Sequence, residues 1–259
     1  MVGKIKTIVE VSWEAIEKHG ILVKGEQKRF DYEHDFVKEF NLRGNIVEEV
    51  YFDSNCKLLY SITKKYNVKQ ELVEEKCFNK DGSLRNQNVI DKKENGNEVS
   101  IFSSSDGKII HKVETSYSNN GRLSNTVVYS YMSNRINRSK CIYDKNGNQI
   151  EMSNYNQDGS LDFKRVTVFD DFGNGIEWSH FNKEGILESK YSRKFDCMNN
   201  PIEWKELYSL DGVLSPNKSF DYNYDSNGNW IKRVDYIDNI PQAIIERQID
   251  YYPPIRIVT

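Results

Sequence analysis

The chain has 259 residues, 37% hydrophobic and 29% charged, with a mean hydropathy of −0.73. No run reaches the roughly 18 apolar residues that a membrane-spanning helix needs. A formal net charge of −3 gives no electrostatic case for nucleic acid or an anionic membrane surface.

In chain order, residues 5–16 alternate apolar and polar and run into Lys18-His19-Gly20, a hairpin turn leading to residues 21–30. Residues 1–39 read as a degenerate first repeat, a cap. From residue 40 to 236 one signature recurs about every thirteen residues: an aromatic, Asp or Asn, two more residues, Gly, then an apolar residue. Tyr143-Asp144-Lys145-Asn146-Gly147-Asn148 and Tyr224-Asp225-Ser226-Asn227-Gly228-Asn229 are full copies. Two turn types alternate. Gly44, Gly96, Gly147, Gly173 and Gly228 mark Gly-Asn-x-Ile/Val turns, which Asn199 marks without Gly. Gly82, Gly107, Gly159, Gly185 and Gly212 mark Gly-x-Leu/Ile turns. Gly121 keeps its Gly but lacks the Asn, and units near Cys56, Gln70 and Ser133 keep the register without Gly. Gly147 to Gly173 and Gly159 to Gly185 are both 26 residues, so the true repeat is a pair of turns. Residues 243–252 read as a last strand, stopped by Pro253-Pro254, which cannot donate ladder hydrogen bonds. Residues 237–259 are the C-terminal cap.

The chemistry of each turn follows from its residues. Asp or Asn bonds the backbone two residues on, and Gly accepts positive φ. That is a type I turn closed by a left-handed residue, a hairpin connection with a bulge. The segments between turns are about eight residues long and rich in β-formers, strand length rather than helix length. The expected fold is all-β: one domain, a long antiparallel meander of about sixteen strands built from 26-residue two-turn repeats. So many strands must coil, fold over or close, and a coiled or spiral sheet is the architecture expected. The bracketing aromatics, from Phe40 to Tyr224, are then expected to stack along a continuous core, with each repeat burying its face on the next. Uncovered end strands leave either a monomer or an oligomer formed through an edge.

The units at Tyr143, Tyr224 and Phe169-Asp170-Asp171-Phe172-Gly173-Asn174 resemble YD repeats, the Rhs-type repeats of bacterial surface proteins and toxin shells. The resemblance covers most of residues 30–236. It implies a spiral antiparallel β array, often exported or at the cell surface, with binding or encapsulating roles, and it brings no catalytic residue. Residues 1–10 lack the apolar core of a signal peptide, so the compartment stays open. Four cysteines (Cys56, Cys77, Cys141 and Cys197) have no motif spacing and are expected as free thiols packed like small hydrophobes.

No cofactor or metal is expected. The Asp144 and Asp225 loops resemble calcium loops, but their Gly is fourth rather than sixth, and a β-turn explains them fully. The histidines His19, His34, His111 and His180 sit in no nucleophile motif. The pairs Glu48-Glu49 and Glu74-Glu75 point to opposite strand faces, which does not make an acid–base dyad. Trp178 and Trp204 recur in Ile176-Glu177-Trp178 and Ile202-Glu203-Trp204 and should share a face. If they face solvent, with Trp230 near, they form a stacking platform for a ligand. If they face inward they are core, the commoner fate. The function expected is a non-catalytic binding or scaffold protein with a protein or glycan partner. The alternatives are a carbohydrate-binding module using Trp178, Trp204 and neighbouring exposed Tyr, and a hydrolase hidden in an atypical region such as residues 100–140.

Overall fold

The computed structural model describes residues 4–27, 35–53, 55–94, 96–118 and 121–253. His34 and Pro254 therefore lie outside the described residues. Nineteen β-strands and no helix occur among them. The fold is all-β and antiparallel, with three strands more than expected. The chain divides into two compact units, Met1–Gln87 with Ser219–Thr259, and Asn88–Lys218.

The first unit holds β1 (Ile5–Lys18), β2 (Ile21–Gln27), β3 (Asp35–Phe40), β4 (Ile46–Phe52), β5 (Leu58–Tyr66), β6 (Leu72–Asn79), β18 (Trp230–Ile237) and β19 (Ile240–Tyr251). β7 (Leu84–Lys92) and β17 (Lys218–Tyr224) cross the division points. β1 and β2 form the hairpin predicted at His19-Gly20, where both residues have positive φ (53° and 77°). These are the dihedrals of a two-residue turn that matches strand twist.

The open spiral with two uncovered ends is corrected here. β1 pairs along its length with β19, from Ile5 opposite Tyr251 to Glu14 opposite Ala243. The first and last strands are each other's neighbour, which removes the exposed edges that a solenoid's caps would have to blunt. The reason is visible in β18 and β19: Trp230, Ala243 and Ile245 form the buried core cluster, and Ile244 beside them is 1% exposed. The C-terminal strand is thus core rather than cap.

β1 also has two partners on its other side. Thr7 to Glu10 pair with β3, while Trp13 to Lys18 pair with β2. At this fork the Ser12 amide donates to Asp35 Oδ1 at 2.8 Å, and Gln27 Nε2 donates to Oδ2 at 2.6 Å. Asp35 is buried and stands in for the missing ladder acceptor. On β4, buried Glu49 is held by Lys38 at 3.1 Å and Lys64 at 2.5 Å, and accepts from the Tyr51 hydroxyl at 3.0 Å. It faces the adjacent strands alone, without Glu48, as strand alternation requires.

The second unit is a meander of β8 (Glu98–Ser104), β9 (Ile109–Ser118), β10 (Leu123–Ser130), β11 (Arg135–Tyr143), β12 (Gln149–Tyr155), β13 (Leu161–Phe169), β14 (Gly175–Phe181), β15 (Leu187–Phe195) and β16 (Pro201–Ser209). Each pairs with the next.

All eleven turn glycines named above have positive φ. The degenerate units keep the same backbone with Cys56, Gln70, Asn134 and Asn199 in the left-handed region. At Asp144 the loop is complete: Oδ1 accepts from the amides of Asn146 and Asn148, and Gly147 N donates to Asp144 O. The backbone therefore occupies the carboxylate that a calcium loop would use.

Register shifts recur beside these turns, at Ile142/Tyr143, Val168/Phe169, His180/Phe181 and Lys194/Phe195. The bracketing aromatic is thus the bulge residue, which accounts for Phe181 falling out of phase with Trp178. The stacked ladder of bracketing aromatics does not form. Among the described residues, ring pairs fall on mid-strand positions such as Tyr51–Tyr60 (4.7 Å), and of the bracketing set only Tyr224 takes part. Equivalent bracketing rings lie two strands apart, about 10 Å, beyond ordinary ring contact. All four cysteines are free. Cys141 is buried as expected, whereas Cys56 and Cys197 are exposed at turns.

Three outcomes are expected in urea denaturation of the full chain. Gly159→Ala has open space around the new Cβ, so its cost is the strain at φ +86° alone, about 1 kcal/mol. Asp35→Ala leaves the Ser12 amide buried without its acceptor and costs about 2 kcal/mol. The third concerns pH. Burial alone would raise the Glu49 carboxyl, but hydrogen bonds and charge from Lys64 and Lys38 outweigh it and hold it below its ordinary 4.5. A depressed carboxyl contributes stability that is complete above the unfolded value and lost as pH falls through the folded one. Stability should therefore drop as pH falls below 4.5, and less steeply in Glu49→Gln.

Candidate ligand-binding site

Residues 26 apart in this repeat sit two strands apart at equivalent heights. Trp178 on β14 and Trp204 on β16 therefore flank β15. Trp178 is directly opposite Tyr191, and Trp204 directly opposite Arg193. The rings lean across β15 until their centroids are 5.9 Å apart. Tyr191 packs 6.1 Å from Trp178 and 6.4 Å edge-on to Trp204. The Arg193 guanidinium lies 4.6 Å from the Trp178 ring centre and 4.4 Å from that of Trp204. Such stacking is favourable because the ring face is electron-rich and guanidinium is weakly hydrated.

These side chains are half-buried, and concavities open beside them. One of about 430 Å³ is lined by Arg165, Trp178, His180, Ser189, Tyr191, Arg193 and Trp204. It shares Arg165, Trp178 and Arg193 with a neighbour of about 400 Å³ that runs over Gly173, Asn174 and Gly175. A third, of about 250 Å³, lies beyond Trp204 under Ser215 and Pro216. Together they make a groove crossing the strands. Another concavity of about 1020 Å³ lies along the turns at Gly121 and Gly147, lined by Arg122, Leu123, Lys140, Ile142, Asp144 and Lys145 with Tyr143 as its one aromatic residue.

The electrostatics of the groove are one-sided. Burial pushes the Arg193 guanidinium down, and no carboxylate offsets it. Arg165 is exposed and has no ion pair or hydrogen bond among the described residues. Lys218 Nζ sits 5.7 Å from the Trp204 ring centre. The acids nearby are engaged. Glu206, buried, is held below its usual carboxyl range by hydrogen bonds from the Ser215 hydroxyl and from the Ser215 amide, the latter at 2.6 Å. Glu188 is 3.4 Å from His180 Nδ1.

His180 and Ser189 face each other in register, and the Tyr191 hydroxyl bonds the Glu206 carboxylate. The Ser189 hydroxyl bonds Tyr191, and His180 packs on Phe163 at 5.1 Å. In residues 100–140, His111 stacks on Phe102, and Ser130, its register partner, bonds Ser133. Trp230 lies in the other unit. It is 8% exposed, packed on Tyr222 and Tyr224, with Arg247 over its ring at 3.4 Å. It is core. Tyr191 was a candidate from sequence only as an unnumbered Tyr beside the two tryptophans, and Arg193 and Arg165 were not candidates. The signal for the first two was their in-phase place on the strand between the two Ile-Glu-Trp strands.

The opposite face of the same strands carries a charge ladder. Glu151 pairs with Lys164 at 2.7 Å, Glu177 with Lys190 at 2.8 Å, and Glu203 with Lys194 and Lys205 at 2.9 and 3.0 Å.

No protein-family model and no curated protein matches the chain. Two solved structures are similar in backbone trace. A porin-like protein from Bacteroides uniformis is 9% identical with a TM-score of 0.46, over 96% of this chain and 98% of that one. TcdB2-TccC3 without its hypervariable C-terminal region is 13% identical with a TM-score of 0.36, over 82% of this chain and 12% of that one. The chain thus spans about an eighth of the latter's length. At these scores neither similarity transfers a function, and the YD-repeat likeness of the turns remains a resemblance.

Proposed function

We propose that the chain is a non-catalytic binding protein whose ligand surface is the groove over Trp178, Tyr191 and Trp204, and that the ligand is a saccharide. The observation that carries this reading is the half-exposed aromatic triad with a groove beside it. Sugar rings present apolar C–H faces that stack on aromatic rings while their hydroxyls bond polar neighbours. Here Asn174, Ser189, Arg165 and His180 are such neighbours. Concave, partly apolar surfaces with a few placed polar groups are the usual form of small-ligand sites.

The Lys–Glu ladder supports a water-facing sheet. A strand face turned to lipid needs apolar residues where Glu151, Lys164, Glu177 and Lys190 stand. The groove face, with Arg165, Arg193 and Glu206, is no better suited to hydrocarbon.

Screening the labelled full chain on a glycan array tests the proposal. Binding is expected, and Trp204→Ala should weaken it by about tenfold through loss of ring stacking, with the far-ultraviolet circular dichroism unchanged. A blank array, or binding indifferent to Trp204→Ala and Trp178→Ala alike, would remove it.

A further inference from the structure

Resting on that reading, we infer that the groove selects acidic saccharides, sugars bearing a carboxylate, and that Arg165 is the residue that reads the charge. Three observations carry this. First, Arg165 and Arg193 line the same two concavities on either side of Trp178. They project from β13 and β15, alternate strands about 10 Å apart, so a ring stacked on Trp178 lies within reach of both guanidinium groups. Second, the cations there have no carboxylate partner. Arg193 is held by two indole faces, and Arg165 has no ion pair or hydrogen bond among the described residues. Third, the acids at the rim are already bonded, Glu206 to the Ser215 amide and Glu188 to His180. At Arg165 and Arg193 an incoming carboxylate meets cations that no acid of the described residues pairs with.

The arrangement also favours a carboxylate on geometric grounds. The Arg193 guanidinium carries its N–H donors in a planar fork, none of them used by an ion pair or hydrogen bond among the described residues, and a planar carboxylate matches such a fork. A neutral sugar gains the stacking but not this pair. In the other unit such cations are paired internally: Arg247 bonds Glu10 at 2.7 Å, and Lys38 and Lys64 share Glu49.

The test is calorimetric titration of the full chain with an oligogalacturonate and with its carboxyl-reduced, neutral counterpart. The acidic oligomer should bind about tenfold more tightly or better. Its advantage should shrink with added salt and disappear in Arg165→Gln, a change at an exposed position that should leave the fold intact. Equal affinity of the two oligomers, or a preference that survives Arg165→Gln, overturns the inference while leaving the saccharide groove standing. Binding of neither oligomer, with other array sugars bound through Trp204, overturns it too. Binding of no sugar at all removes both.

Discussion

The structure depends on one backbone conformation, the left-handed residue that closes each type I turn. It ends a strand, adds one bulge residue and sends the chain back at a fixed offset. Because the offset is constant, positions 26 residues apart land at the same height two strands away. That rule places Trp178 and Trp204 on either side of β15, and places Glu151, Glu177 and Glu203 in one row on the reverse face. The conformation is kept even where glycine is lost: Cys56, Gln70, Asn134 and Asn199 all adopt it. Non-glycine residues there carry about 1–2 kcal/mol of strain each. That the chain tolerates four such sites shows that the ladder, not the residue, holds the turn.

The two faces of the second unit then divide the work. Repeating Glu and Lys on one face pair across neighbouring strands at 2.7–2.9 Å. Exposed pairs of this kind contribute little each. Their main effect is on register, since a one-residue slip would bring Glu177 and Lys190 to opposite faces. The other face carries rings and guanidinium groups, whose positions depend on that register. The specificity of the groove is therefore set partly by residues that never touch it.

Much of this was legible from the residues. The turn chemistry, the strand lengths, the first hairpin at His19-Gly20 and the shared face of Trp178 and Trp204 follow from local rules with a period of two or of twenty-six. What was not legible is non-local. Pairing of β1 with β19 joins residues more than two hundred apart, and nothing in residues 5–14 or 243–251 names the other as partner. The sequence pattern therefore allowed a coil with free ends. The fork at Asp35 is hidden for the same reason: it depends on two strands competing for β1. The bracketing aromatics misled because their period was read without their phase. Each sits at a bulge on alternating sheet edges, so equal spacing in sequence did not become ring contact. Trp230 fits the turn pattern as well as its counterparts do, and only the packing of β18 on β19 shows that it is core.

The contrast between Trp230 and the Trp178–Trp204 pair makes the groove informative. Both units stack an arginine on indole. In the first, Arg247 lies 3.4 Å from the Trp230 ring centre, is half-buried, and is neutralised by Glu10, so the assembly is closed on itself. Burying a cation without such a partner is costly. In the second, Arg193 is stacked on two indoles, burial lowers its proton affinity, and no carboxylate of the chain answers it. An arginine needed only for packing would be expected to follow the Arg247 pattern, because a Glu on a neighbouring strand is an easy solution that this fold already uses three times on the reverse face. Leaving two guanidinium groups without an acid beside a half-exposed aromatic triad is a local violation of charge pairing, and such violations concentrate where a ligand supplies the missing group.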